Sequence, residues 1–336
     1  MSTLSPASIL RFPYTPDLTH AGIAYAMRSL AYTYDRMGGS PFLRLRRIVA
    51  GKAVELAFRR YLDAQQVPYD NLGSTPFTDP DRYDIALGGH RCDLKSFLVS
   101  RRDAIRQVRR QPDVLRRAAA LVPVDQLVSE HLRAEDLYIF AFASALVAAH
   151  SKDTQQAQAK GSPVYLMHPF PARWARPLHW KSLGRLTLKL ESAPSLAIEI
   201  GGQTALRDFH IESLHLEPGQ CTSLKADFFS ISYLHVEMLP TNRIGIHSTR
   251  LDETYLVEPS GWGNIWVYGM DIFLGGYMPR HEFRQRAAVL PAGSRVWQYA
   301  RTRTANYALP VDSLHPLGEL LDRVKAWESK KSIKNE

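Results

Sequence analysis

Asp84-Ile-Ala-Leu-Gly88-Gly89-His-Arg-Cys-Asp93-Leu-Lys95 is the stretch whose reading decides the fold. A Gly-Gly pair between alternating segments predicts a two-residue hairpin turn, because both central positions can take positive φ. Leu87 then pairs with His90, Ala86 with Arg91, Ile85 with Cys92 and Asp84 with Asp93. Opposed residues of an antiparallel pair point the same way, with Cβ atoms about 4.5–5.5 Å apart. Lys95 shares that face through the two-residue period of a strand, while Ile85, Leu87, Cys92 and Leu94 turn to an apolar face. Two carboxylates that close repel one another unless a cation lies between them, and a hard divalent ion takes oxygen ligands of this kind.

Upstream, apolar side chains recur at Leu45, Ile48, Val49, Val54, Ala57, Phe58, Tyr61 and Leu62. This is helical periodicity with one buried stripe. Glu55 lies at its edge, Gly51 one turn earlier, with Lys52 and Arg59 flanking it. Taken alone, Glu55 reads equally as a surface residue paired with Arg59 at i+4.

The order helix Glu, hairpin Asp, then Asp-x-Lys resembles the PD-(D/E)XK nuclease superfamily. The matching residues are Gly51-Lys-Ala-Val-Glu55, Tyr83-Asp84-Ile and Cys92-Asp93-Leu-Lys95-Ser, within roughly residues 40 to 145. The resemblance implies a restriction-endonuclease-like α/β fold, a mixed sheet flanked by helices. It also implies hydrolysis of phosphodiester bonds in DNA, as an endonuclease, with Mg²⁺ or Mn²⁺. Carried over by position, Asp84, Asp93, the Leu94 carbonyl and Glu55 would hold the metal, and Lys95 would position or activate the attacking water. Pro80-Asp81 is an alternative first acid, but Asp81 lacks the register with Asp93. DNA is preferred over RNA on the resemblance alone.

The chemistry of such a reaction agrees with these residue types. A metal polarises the phosphoryl oxygen and lowers the pKa of water, and a lysine among other cations can take part in proton transfer. Lys and Arg total 42 against 33 Asp and Glu, a net charge of +9 that suits a polyanionic partner. Arg44, Arg46 and Arg47 precede Glu55. Arg101, Arg102, Arg106, Arg109 and Arg110, with Arg116 and Arg117, follow the Asp-x-Lys strand, and the first five are the candidate nucleic-acid contacts.

The remaining composition excludes several classes. Cys92 and Cys221 are the only cysteines, giving neither a disulfide framework nor a zinc spacing. The twelve histidines show no His-Glu-x-x-His pattern, which argues against a zinc hydrolase. Met1-Ser-Thr-Leu-Ser-Pro lacks secretory character and Leu137–Ala149 is too short to span a bilayer, so a cytoplasmic location without membrane contact is expected. A homodimer or a protein partner in a larger complex is compatible with the chain.

Helices are expected over 20–36, 42–66, 103–120 (interrupted near Pro112) and 123–133. Strands are expected at 74–78, 83–88, 90–98, from Asp136 through Phe142, and at Pro163–His168, with an exposed loop over 151–162. Short alternating segments then follow at Arg185–Leu190, Leu196–Ile200, Phe209–Leu216, Ser223–Phe229 and Tyr233–Met238, which read as a β-rich, sandwich-like accessory unit. Its Trp174, Trp180, His210, His215, Tyr233, His235 and Trp262 read first as core and second as a recognition surface. Trp266–Met270 and Phe273–Gly276 read as apolar strands, Pro279–Phe283 as a helix start and Leu314–Lys330 as an amphipathic helix. The expected division is a nuclease core over 1–175, a β-rich segment over 176–262, and a segment over 263–336 packing back on the core. Two rival readings remain: a non-catalytic nucleic-acid-binding module with the same fold, and a protein whose β-rich part binds a ligand or partner.

Overall fold

The computed structural model describes residues 4–29, 41–70, 83–128, 133–146, 151–161, 164–264 and 268–334. The chain opens with β1 (Leu10–Pro13), α1 (Pro16–Ser29) and α2 (Pro41–Ala64). The hairpin β2 (Ile85–Leu87) and β3 (His90–Val99) follows, then α3 (Arg102–Arg110), β4 (Ala119–Pro123), α4 (Val124–Leu127), β5 (Leu137–Leu146) and α5 (Ser151–Ala159). A long β-rich run comes next: β6 (Leu166–Pro169), α6 (Ala172–Ala175), β7 (Leu186–Leu190), β8 (Leu196–Gln203), β9 (Phe209–Leu216) and β10 (Cys221–Ser223). It continues through β11 (Ser230–Val236), β12 (Ile244–Ser248), β13 (Glu253–Val257) and β14 (Gly263–Asn264). The chain closes with β15 (Tyr268–Pro279), α7 (Arg280–Arg286), β16 (Ala288–Leu290), β17 (Asn306–Pro310) and α8 (Leu317–Lys334). The molecule is a mixed α/β protein with several sheets.

The central sheet has the order β1-β15-β5-β3-β2. Among its described strands only β3 and β5 run parallel, Asp93 lying beside Tyr138 and Val99 beside Ser144. The connection between them carries α3, a 3₁₀ turn at Pro112–Arg117, β4 and α4. β5 is buried from Leu137 to Ala145, which is why its sequence is a near-continuous apolar run. On one face Phe97, Tyr138, Phe140 and Phe142 pack with Ile105 and Val108 of α3. On the other, Ile85, Cys92, Ile139 and Ala141 meet Val54, Phe58 and Leu62 of α2 and Leu317, Leu321 and Val324 of α8. Each large apolar side chain so buried stabilises the sheet by about 1.5–3 kcal/mol.

Two further sheets, β10-β7-β12-β13 and β14-β6-β11-β8-β9, share one apolar core that includes Trp174, Leu188, Ile198, Phe228, Leu234 and Ile246. A small sheet, β16-β17-β4, joins the closing part of the chain to the β3–β5 connection.

Several expectations are corrected. β6 does not extend the central sheet; it pairs with β11, so the β-rich unit takes its first strand from before residue 176 and its last, β14, from beyond 262. Residues 151–159 form a helix instead of a loop, since Lys, Gln and Ala favour helix and Thr154 is buried against the protein. Ser223–Phe229 holds no strand beyond Ser223, because β10 ends there and Glu212 caps the Lys225 and Ala226 amides. The two strands expected around Met270 and Phe273 are one, β15, and it does more than pack back. It lies inside the central sheet between β1 and β5. The expected strand at 74–78 and the alternative acid Asp81 lie outside the described residues, as does most of the second half of the 20–36 helix. Among the described residues no helix is long and apolar enough to cross a membrane.

Candidate active site

Local sequence places the acidic cluster. Gly88 and Gly89 adopt φ of 55° and 82°, the positive pair that a two-residue hairpin turn needs, and the register is Leu87–His90, Ala86–Arg91, Ile85–Cys92. A Cβ on Gly88 would stand 3.1 Å from Val324 Cγ2, so α8 closes over the turn. The expected pairing of Asp84 with Asp93 is not made. The Asp84 N–H donates to the Cys92 carbonyl at 3.0 Å, and the ladder stops. Asp84 Oδ2 instead accepts the Leu94 N–H at 2.6 Å. The carboxylate thereby takes a backbone donor and leaves direct opposition to Asp93.

Glu55 comes to the same place from α2. Burial first, then the charges of Glu55 and Asp93, push the Asp84 carboxyl well above the usual range, while the Leu94 N–H and Lys95 act in the opposite direction. Lys52 Nζ donates to Glu55 Oε2 at 2.6 Å and lies 4.5 Å from the Tyr25 ring centroid. Glu55 is therefore held by Lys52 at i−3; Arg59, its expected i+4 partner, donates to the Asp84 carbonyl at 3.1 Å.

Lys95 is 11% exposed at its side chain. Its Nζ lies 2.5 Å from Asp93 Oδ2 and donates to Gln126 Oε1 at 2.8 Å, above the Tyr138 ring. An ammonium has three N–H donors, so one remains for a further acceptor. Gln126 carries no signal in the sequence that would single it out. It reaches Lys95 because α4 returns the chain to the sheet just before β5, a long-range placement. Nearby, Arg91 and Asp136 form a two-bonded pair at 2.9 and 2.5 Å, tying the hairpin to the start of β5.

The donor chemistry suits a hard divalent ion: three carboxylates cluster, and one of them is pushed toward its neutral form by burial and then by the other two. Each is engaged internally, by Lys52, the Leu94 amide or Lys95. The three do not all lie within 4.8 Å of one another. Closing on one ion requires those internal partners to yield.

The arginines are placed differently from what their sequence position implies. Arg102, Arg106, Arg109 and Arg110 are exposed on α3, whose inner face is Ala104, Ile105 and Val108. Arg109 Nε lies 3.0 Å from Asp271 Oδ2, and Arg101 donates to the Trp297 carbonyl at 3.2 Å. Asp271 stands beside Ser144, and Ser144 beside Val99, whereas Asp93 stands beside Tyr138. At about 3.3 Å per residue, Arg109 is roughly 20 Å along the sheet from Asp93. Arg44, Arg46 and Arg47 lie within α2, upstream of Glu55 on the same helix, and burial lowers the Arg46 pKa to about 10.

No family model, no curated protein and no solved structure matches this chain.

Proposed function

We propose that this chain is a metal-dependent nuclease of the restriction-endonuclease-like type, hydrolysing phosphodiester bonds in DNA with Mg²⁺ or Mn²⁺. The observation that carries the reading is the convergence of Glu55, Asp84, Asp93 and Lys95, with the Asp84 carboxyl raised first by burial and then by its acidic neighbours. Asp84 and Asp93, with Glu55, would hold the ion. When bound, it would polarise the phosphoryl oxygen and offset charge on the leaving oxygen.

Lys95 is fixed by Asp93 and Gln126, and its remaining N–H is available to the attacking water or the scissile phosphate. Asp93 and Gln126 together keep the ammonium aimed. The exposed arginines of α3 would contact the backbone at a distance: at 3.4 Å per base pair, roughly 20 Å corresponds to about six base pairs. They would position the duplex and take no part in the chemistry.

The deciding experiment is cleavage of supercoiled plasmid by the whole chain with Mg²⁺, with Mn²⁺ and with EDTA. Nicking that needs the metal and disappears in Asp93→Ala is expected. Equal nicking by wild type and Asp93→Ala, or none by wild type with either metal, would overturn the reading.

A further inference from the structure

A second cluster lies away from the acidic site, on the seam between the helical pair α1–α2 and the β-rich unit. In the β8–β11 ladder Glu199 stands directly opposite His235, so their side chains share a face. Ile23 and Ala26 of α1 and Leu45, Val49 and Ala50 of α2 pack with Tyr165, Met167 and Tyr233 in one apolar cluster along that seam. α1 thereby brings His20 down beside the pair. The His20 and His235 rings meet edge-on at 5.8 Å, and Tyr165 stacks on His235 at 6.0 Å.

His235 is 3% exposed at its side chain. Its Nδ1 lies 2.9 Å from Glu199 Oε2, while its Nε2 is buried without a hydrogen-bond partner. A buried ring nitrogen left unpaired carries an uncompensated desolvation penalty. Glu199 keeps solvent access at 37% exposure, and the bond to His235 holds its carboxyl below the usual range. One ligand atom from each of His20, Glu199 and His235 lies within 4.8 Å of the others, and among the described residues no other His, Cys, Asp or Glu trio is that tight.

We propose that His20, Glu199 and His235 form a binding site for a borderline divalent ion of the Zn²⁺ type. Two imidazoles and one carboxylate select such ions over Mg²⁺, which favours all-oxygen sites. Ligands about 2.1 Å from a tetrahedral ion stand roughly 3.4 Å apart. One ligand atom from each of the three already lies within 4.8 Å of the others, so a small closure of α1 on β8 and β11 brings them to that spacing. The ion ties α1 to β8 and β11 and keeps one coordination position for water. Nothing in this assignment depends on the nuclease reading, because the two sites share no residue.

The test is calorimetric titration of the metal-stripped whole chain with Zn²⁺ in excess Mg²⁺, repeated for His20→Ala, Glu199→Gln and Asp84→Ala. Thermal unfolding is followed with and without Zn²⁺. Loss of an outer partner of a metal ligand commonly weakens affinity 10–100-fold. His20→Ala and Glu199→Gln, which remove ligands, should therefore weaken Zn²⁺ binding at least about 100-fold, and Asp84→Ala should leave it unchanged. Zn²⁺ should raise the unfolding midpoint of the wild type and leave that of His20→Ala where it was. His20→Ala is the informative variant because it alters a helix surface and spares the buried His235. Zn²⁺ binding equal in wild type and His20→Ala, or abolished in Asp84→Ala instead, would overturn the assignment.

Discussion

Replacing Asp84 by Asn tests whether the acidic cluster is built for a cation. Asn keeps an oxygen for the Leu94 N–H, now 2.6 Å from Asp84 Oδ2, but turns a charge-assisted bond into a neutral one, a loss of about 1 kcal/mol. Against this, Asn removes a charge that Glu55 and Asp93 oppose. At an effective permittivity of about 20 and a separation on the order of 6 Å, one like-charge pair is unfavourable by about 2.8 kcal/mol. Lys95 offsets part of that. The metal-free Asn variant should thus be more stable than wild type by about 1–2 kcal/mol at neutral pH.

The pH dependence has a fixed sign. A carboxyl whose folded pKa is raised contributes stability that is fully present below its unfolded value of 3.8 and lost as pH climbs through the raised value. The advantage of Asp84→Asn should therefore grow from about pH 4 upward and level off above the raised pKa. Mg²⁺ should reverse the order: an ion at 100 times its Kd stabilises the wild type by about 2.7 kcal/mol and gives the variant little. Chemical denaturation in EDTA and in Mg²⁺, between pH 4 and 8, measures both effects. A variant less stable than wild type in EDTA at neutral pH, yet stabilised equally by Mg²⁺, would refute the reasoning.

Lys95→Ala should keep Mg²⁺ affinity within about threefold while losing 10²–10⁴-fold in turnover, and Lys95→Arg should not restore it, since a guanidinium neither titrates near neutrality nor fits an ammonium site; calorimetry set beside single-turnover cleavage separates the two effects. Converting Arg102, Arg106 and Arg110 to Gln should weaken binding alike across DNA sequences, with the slope of log affinity against log salt falling by about 0.9 for each phosphate no longer neutralised; an unchanged slope would place DNA elsewhere. Gly88→Ala should destabilise by about 1–2 kcal/mol from its φ of 55°, with Val324 displaced in addition, and denaturant midpoints measure the sum.

The features legible in the sequence are local ones. Gly88-Gly89 fixes a hairpin register within a few residues, and α2 announces itself by its apolar stripe, so Glu55, Asp84, Asp93 and Lys95 can be placed on neighbouring elements. The Asp84–Leu94 hydrogen bond escapes such a reading because a carboxylate competing for a backbone N–H has no pattern of its own. Gln126 and the partnership of Arg109 with Asp271 depend on where distant segments return, which periodicity does not encode. The arginines stand away from the acidic cluster for a simple geometric reason. A strand carries the chain away from Asp93 before α3 begins, so neighbours in sequence become opposite ends of a sheet. β6 falls in the β11 sheet and not among the strands of the expected nuclease core, because a buried segment as short as Leu166–Pro169 suits any covered strand.

The position of β15 also governs when this protein can exist as a folded object. Arg11 on β1 bonds Asp271 on β15, 260 residues away, and β15 separates β1 from β5 in the central sheet. During synthesis the hairpin with Asp84 and Asp93 emerges early, but the sheet beneath it lacks an interior strand until Pro279 has left the ribosome. The nascent chain must carry two exposed strand edges, on β1 and β5, while the whole β-rich unit is made between them. Such edges recruit other chains, and closure over so long a loop is slow. The acidic cluster thus acquires its full framework only near the end of translation, and cutting the chain between the β-rich unit and β15 yields a fragment with an open sheet instead of a separable domain.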